Sequence, residues 1–391
     1  PGLSDLLAVR SMRPVLDSLA PNIVHGHGAK GAAYARLLAP SLQSHAVFTP
    51  HGGVLHFSAR SLAGRVYITL ERLLKNRTNG AIFESTFARQ TFIQKIGSAT
   101  FPECVIHNGL YEHEYAQLKR EDADYDFVFV GELRTLKGIF ENVEAAAAIR
   151  RSRPISLLMV GAGAEEGRLR ARIDQLGMTD NIVVSGPMRP ATAAFARARC
   201  VVVPSLDESF PYIVLEALAA GIPVVTTRVG GIPEMFGSFA DQLIRPGDSE
   251  ELQKAMLSVL RDPDSAEERA QALHEHVKHR FRVESMAEKS IDFYTTVLEG
   301  KILKDYVYPE MRLVFMDIGG AVVELISKSA NKNRQPGPIE HIAFKVENLD
   351  EKIKMLNDMN ISHSKPKVVG SAKIIFFDGP NNEKFEFVAR N

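Results

Sequence analysis

Pro204-Ser205-Leu206-Asp207-Glu208-Ser209-Phe210-Pro211-Tyr212-Ile213-Val214-Leu215-Glu216-Ala217-Leu218-Ala219-Ala220-Gly221-Ile222-Pro223-Val224-Val225 sets two glutamates eight positions apart across a strand, loop, helix and strand. The branched run Cys200 to Val203 before it does not alternate with polar residues, the pattern of a strand buried on both faces in a parallel sheet. Pro211 suits the first position of a helix, where a missing N–H is no loss. Glu208 then lies in the loop and Glu216 about a turn and a half into the helix, so both carboxylates can face one crevice. The helix start adds N–H groups and a positive dipole end, which suit phosphate or sugar oxygens. On spacing alone, the pattern also describes an ordinary helix with a capping Glu208 and an exposed Glu216.

Other segments narrow that choice. Val130-Gly131-Glu132-Leu133-Arg134-Thr135-Leu136-Lys137-Gly138 places a glycine and two cations at a strand end. Met159-Val160-Gly161-Ala162-Gly163 ends another strand, Gly230-Gly231-Ile232-Pro233-Glu234 follows the glutamate passage, and Val105-Ile106-His107-Asn108-Gly109-Leu110 precedes them all. In this order the segments resemble those of family 4 glycosyltransferases, retaining enzymes of the GT-B fold, over residues 15 to 298. The resemblance implies a donor site built from Gly131, Arg134, Lys137, Gly161, Ser209, Phe210 and Glu216, with Glu208 facing the transferred sugar and Glu216 the donor ribose. It implies a UDP- or GDP-linked nucleotide sugar, no metal for transfer, and a saccharide or lipid-linked acceptor. Where family members often carry arginine after the first glycine, this chain has Glu132, and Arg134 is the nearest replacement.

Composition agrees with a soluble enzyme of more than one domain. A chain of 391 residues with 45% hydrophobic content can bury two or three cores. Lys plus Arg equals Asp plus Glu at 47 each, so no global charge points to nucleic acid. Cys104 and Cys200 sit among apolar residues without metal-ligand spacing, as small fillers in a reducing compartment do. No run approaches the ~20 apolar residues needed to cross a bilayer. The expectation is a cytoplasmic protein, with peripheral contact at the inner face of a membrane as the alternative.

Residues 1–120 read as alternating helices and strands, hence a parallel sheet with right-handed crossovers. Strands are expected at Asn22 to His25, Ala46 to Thr49 and Gly80 to Phe83, with helices at Lys30 to Leu38 and Leu62 to Lys75. This half is short for its family, and the chain reads as truncated at its start. His25, His27 and His51 fall at strand ends, where open α/β sheets bind ligands. The family carries a histidine near the reacting sugar, and His27 matches that position best, His51 second. Residues 121–298 read as a second Rossmann-like domain with a returning helix. Its six strands are expected at Asp126 to Val130, Ser156 to Val160, Ile182 to Ser185, Cys200 to Val203, Val224 to Thr227 and Gln242 to Ile244.

Beyond residue 298 the cation usage reverses, from 25 Arg and 8 Lys to 3 Arg and 11 Lys, which marks a boundary. Residues 299–391 read as a small α+β domain with strands at Leu313 to Met316, Ala321 to Ile326, Ile339 to Val346 and Ile374 to Phe377. Gly320 to Leu325, Ile339 to Val346 and Lys384 to Val388 resemble the vicinal oxygen chelate superfamily of glyoxalases and dioxygenases. That resemblance implies a divalent metal at Glu324, His341 and Glu386, and a homodimer through the tail. The superfamily's first strand is missing. Ser290 to Leu298 could supply its first helix or the transferase's returning helix, and serving both looks difficult. A retaining glycosyltransferase is therefore expected, the alternative being a metal-dependent lyase, isomerase, dioxygenase or small-molecule binder centred on the tail.

Overall fold

The computed structural model describes residues 3–19, 21–118, 123–297, 300–308, 311–318, 321–328, 342–346, 348–358, 361–369, 372–378 and 384–390. The chain opens with α1 (Leu3–Leu19), β1 (Ile23–His27), α2 (Gly28–Leu38), β2 (His45–Thr49), α3 (Leu62–Lys75), β3 (Gly80–Phe83), α4 (Thr86–Lys95) and β4 (Glu103–Val105). The four strands are parallel in the order β1-β2-β3-β4. Serine caps start two of the helices: Ser61 Oγ accepts from Gly64 N at 3.0 Å and Ser85 Oγ from Ala88 N at 3.0 Å. The core between sheet and helices is aromatic, with the Phe48 ring centroid 6.1 Å from that of Phe83, 5.8 Å from Phe92 and 6.2 Å from Phe101. Each such buried ring contributes about 1.5–3 kcal/mol over leaving it in water.

The second half runs β5 (Tyr125–Val130), α5 (Ile139–Arg150), β6 (Leu157–Val160), α6 (Glu166–Gln175), β7 (Ile182–Gly186), α7 (Ala191–Phe195), β8 (Ala198–Val203), α8 (Tyr212–Ala219), β9 (Val224–Thr226), α9 (Ile232–Phe236), α10 (Ser249–Arg261), α11 (Pro263–Lys278) and α12 (Val283–Val297). Its parallel order is β7-β6-β5-β8-β9. Both faces are buried, because Phe127 and Phe129 of β5 join one core while Val128 between them joins the other. The order reverses between β5 and β8, and open α/β sheets bind ligands beyond the carboxyl ends of their strands at such a point. The expected sixth strand at Gln242 to Ile244 does not form. Gln242 ends a 3₁₀ turn, and Ile244 makes only a single parallel bridge to Thr227.

The tail holds an antiparallel meander, β10 (Lys301–Tyr308), β11 (Met311–Ile318) and β12 (Ala321–Lys328). It continues with β13 (Ile342–Lys345), α13 (Leu349–Asp358), β14 (Lys367–Val369), β15 (Ala372–Asp378) and β16 (Lys384–Arg390), in the order β13-β16-β15-β14 with β13 parallel to β16. Sequence reading missed β10, β14 and α13. It also set two uses of the segment around Ser290 against each other, and here the structure differs. Ile291, Phe293 and Tyr294 of α12 pack with Val47 and Ile82 of the first sheet and Ile106 just beyond it, and the same cluster contains Val314 and Met316 of β11. One apolar cluster thus joins α12 to both the first sheet and the tail.

Candidate active site

The loops that leave β5 and β8 meet at the point where the strand order reverses. Lys137 ends a 3₁₀ turn, and its Nζ lies 2.6 Å from Glu208 Oε1, an oxygen that also accepts from Ser205 Oγ at 2.7 Å. Glu208 is 7% exposed. A lysine held on a nearly buried carboxylate is a charge-assisted bond in a poorly solvated place, which is stronger than its surface equivalent. Gly131 and Gly161 bring the neighbouring loops together: a Cβ at Gly161, whose φ is +151°, would lie 1.8 Å from Gly131 O. Ser209 and Phe210 are buried in the same loop as Glu208. Pro211 is the N-cap of α8 rather than its first residue and provides no side-chain cap. Glu216 lies partly buried in the second turn of that helix.

Arg134 does not join this group. Its Nη1 bonds Glu132 Oε2 at 3.2 Å with both side chains about half exposed (46% and 56%), so the glutamate that replaces the family's arginine also draws away the nearest substitute. Lys137 is the cation the structure places beside Glu208.

Across the junction lies a row of rings. His25 stacks on His27 at 4.3 Å between centroids and His27 on His51 at 5.2 Å, with His27 Nδ1 and His51 Nε2 3.0 Å apart. His25 is fixed at both nitrogens, Nδ1 to Tyr294 Oη of α12 at 2.7 Å and Nε2 to Thr49 Oγ1 at 3.0 Å. Burial, then repulsion from His51, lowers the His27 pKa to about 4. Burial also lowers His51, partly offset by Glu84. The rings are therefore neutral near pH 7, as a bond between two imidazoles requires of at least one partner. His27 Nε2 is buried with no protein partner. His51 has φ +46°, unusual for a residue with a side chain, and Gly52 and Gly53 follow at +77° and +41°. This turn directs Gly52 N to Glu84 Oε1 at 3.0 Å.

Contacts between the two halves converge on the same loop. Ser209 Oγ donates to Glu84 Oε1, His56 Nδ1 lies 2.6 Å from Asp207 Oδ2, and Asn108 Nδ2 donates to Phe210 O at 3.0 Å. Glu234 of α9 reaches across to cap α4, accepting from Thr86 N at 2.9 Å and Phe87 N at 2.8 Å, and it also bonds His107 Nε2 at 2.9 Å. Burial alone would raise the Glu234 pKa, but the His107 and backbone bonds outweigh it and lower it. Glu84 and His56 escaped sequence reading. Glu84 had a readable signal, since an acid directly after the apolar strand Gly80 to Phe83 stands at a carboxyl edge.

In the tail, Glu386 of β16 is buried, with 6% exposure, and pairs in register with Ala343 of β13 and Phe376 of β15. Glu324 belongs to β12, in the other sheet, and His341 lies outside the described residues. Among the described residues no three His, Cys, Asp or Glu side chains gather as a metal site.

Comparison with known proteins agrees with this geometry. The family described as Glycosyltransferase Family 4 matches residues 1–112, that described as Glycosyl transferases group 1 matches 112–279, and the Glyoxalase/Bleomycin resistance protein/Dioxygenase superfamily matches 276–387. The last match takes in α12, the helix whose apolar cluster also contains Val314 and Met316 of the tail. Glycogen synthase of Mycobacterium tuberculosis is 26% identical over 294 residues, 73% of this chain and 71% of that protein. D-inositol 3-phosphate glycosyltransferase of Segniliparus rotundus is 32% identical over 199 residues, 48% of this chain and 43% of that protein. Among solved structures, sucrose-phosphate synthase from Thermosynechococcus elongatus has a TM-score of 0.65 at 22% identity, covering 75% of this chain and 77% of that one. The Anabaena protein HepE, solved with UDP and glucose, also has a TM-score of 0.65, at 20% identity, covering 75% of this chain and 83% of that one. Over residues 1–279 the chain therefore belongs to the family 4 and group 1 glycosyltransferases, with the GT-B arrangement of two parallel α/β sheets, and it continues into a glyoxalase-superfamily tail.

Proposed function

We propose that this chain moves a sugar from a UDP- or GDP-linked donor to a saccharide or lipid-linked acceptor with retention of configuration. The observation that carries the reading is Lys137 Nζ at 2.6 Å from Glu208 Oε1 where the strand order reverses. Cleaving the sugar–phosphate bond builds negative charge on the departing diphosphate, and a cation already fixed there offsets it without reorganising. Lys137 exchanges Glu208 for phosphate oxygens, and the released carboxylate accepts from hydroxyls of the transferred sugar. Glu216 accepts from the ribose hydroxyls. The leaving phosphate oxygen takes the acceptor hydroxyl's proton as the new glycosidic bond forms on the face the diphosphate leaves. Opposite, His27 Nε2, buried and without a protein partner, is available to a sugar hydroxyl. The names of the transferase relatives and the UDP and glucose bound by the Anabaena protein support the donor class. The tail, packed through Val314 and Met316 against α12, is read as an accessory to this chemistry.

Calorimetric titration of UDP and of GDP without metal, into the full chain and its Glu216→Ala variant, tests the reading. One nucleotide should bind the native chain and bind the variant at least tenfold more weakly, about 1.4 kcal/mol. Equal affinity in both proteins would remove Glu216 from the donor site, and no binding of either nucleotide would overturn the reading.

A further inference from the structure

Helix α3 turns its inner face to the protein and leaves a stripe of aliphatic side chains in water. Ile68 and Glu71 are buried, and Glu71 holds the fully buried Arg36 of α2 through bonds of 2.6 and 3.1 Å. Leu62, Val66, Leu70 and Leu73 are 80%, 49%, 37% and 65% exposed. Their spacing of four, four and three places them on one line along a helix. Isolated exposed leucines are ordinary, whereas four on one face need a partner.

Charge identifies the partner. Residues 51–100 contain seven Lys and Arg (Arg60, Arg65, Arg72, Lys75, Arg77, Arg89 and Lys95) and two acids, Glu71 and Glu84. Both acids are buried, at 7% and 2% exposure. Arg65 of α3 and the adjacent Arg77 are exposed beside the stripe, as is Arg72, whose Nη2 donates to Lys95 O at 2.7 Å. Aliphatic residues flanked by exposed cations, with both acids of residues 51–100 buried, match the boundary between acyl chains and anionic headgroups. Such a helix lies in the membrane surface, and no helix of the described residues is long and apolar enough to cross a membrane.

We propose that α3 docks this chain onto an anionic lipid surface, with Leu62, Val66, Leu70 and Leu73 in the acyl boundary and Arg65 and Arg77 on the headgroups. The stripe starts six residues after His56, which bonds Asp207 at the junction of the two halves, so docking brings lipid close in the chain to the transfer site. The inference goes beyond the proposed reaction and stands on a different helix face.

Co-sedimentation of the full chain with vesicles tests it, comparing phosphatidylcholine containing about 30% phosphatidylglycerol with phosphatidylcholine alone. Binding should be at least about tenfold stronger to the anionic vesicles and weaken with added salt. It should fall by about tenfold or more in Val66→Asp/Leu73→Asp and in Arg65→Glu/Arg77→Glu. Unfolding midpoints confirm that the variants are folded, and Leu62→Ser, at the most exposed position, replaces a pair whose midpoint drops. Absence of binding to anionic vesicles overturns the proposal, as does equal binding by native and variant proteins. A dimer in solution that Val66→Asp converts to monomer, without vesicle binding, would assign the stripe to a second copy of the chain and also overturn it.

Discussion

The two sides of the junction meet the problem of holding polar groups out of water in opposite ways. On the second-half side, Lys137 and Glu208 keep opposite charges in contact at 2.6 Å. On the first-half side, His25, His27 and His51 stack as neutral rings, and burial suppresses the charges they would otherwise acquire. The difference is chemical. A carboxylate and an ammonium compensate each other when buried together, whereas three imidazoles can share a low-dielectric site only by staying neutral or nearly so.

Acid should break this contrast first. The unfolded His27 ring takes a proton near 6.5 and the folded ring only near 4. Between those values the unfolded state binds more protons, so stability is intact above 6.5 and falls as pH drops toward 4, by about 3 kcal/mol from this ring. Urea unfolding at pH 7 and pH 4.5 should show a smaller loss in His27→Gln than in the native chain; identical losses would contradict a neutral His27.

On the charged side, Lys137→Ala should weaken nucleotide binding by roughly 1.5–3 kcal/mol, the range for a charged hydrogen bond. Native affinity in that variant would withdraw Lys137 from the donor site. Tyr294→Phe removes the hydroxyl that fixes His25 Nδ1 and should cost about 1 kcal/mol of stability. It should also change the ring-nitrogen chemical shifts of His25 and His27, and unchanged shifts would detach α12 from the histidine row. The smallest effect belongs to Arg134→Ala, at most about 0.5 kcal/mol on nucleotide binding, because its partner is the exposed Glu132. A loss as large as that of Lys137→Ala would mean that Arg134 leaves Glu132 when donor binds.

Much of this was legible in the sequence because it depends on local pattern. Apolar runs and glycines at strand ends announced two parallel sheets, and the glutamate pair at positions 208 and 216 lies in the loop and helix that follow β8. Gly80 to Phe83 and Leu62 to Lys75 were read to the residue. Gln242 to Ile244 misled because a 3₁₀ turn takes the segment as far as Gln242 and leaves only Ile244 to bridge Thr227 beside β9. Glu84 and His56 were missed because each acquires its role from partners more than a hundred residues away, Ser209 and Asp207.

The sequence by itself determined the periodicities, the order of the elements and the family, since each is carried by neighbouring residues and their spacing. Only the tertiary structure decided which cation joins Glu208, which rings stack beside His27, that α12 shares one apolar cluster with the first sheet and the tail, and that the aliphatic stripe of α3 faces outward. Those outcomes depend on which groups exclude water from one another when distant segments meet, and no local pattern carries that information.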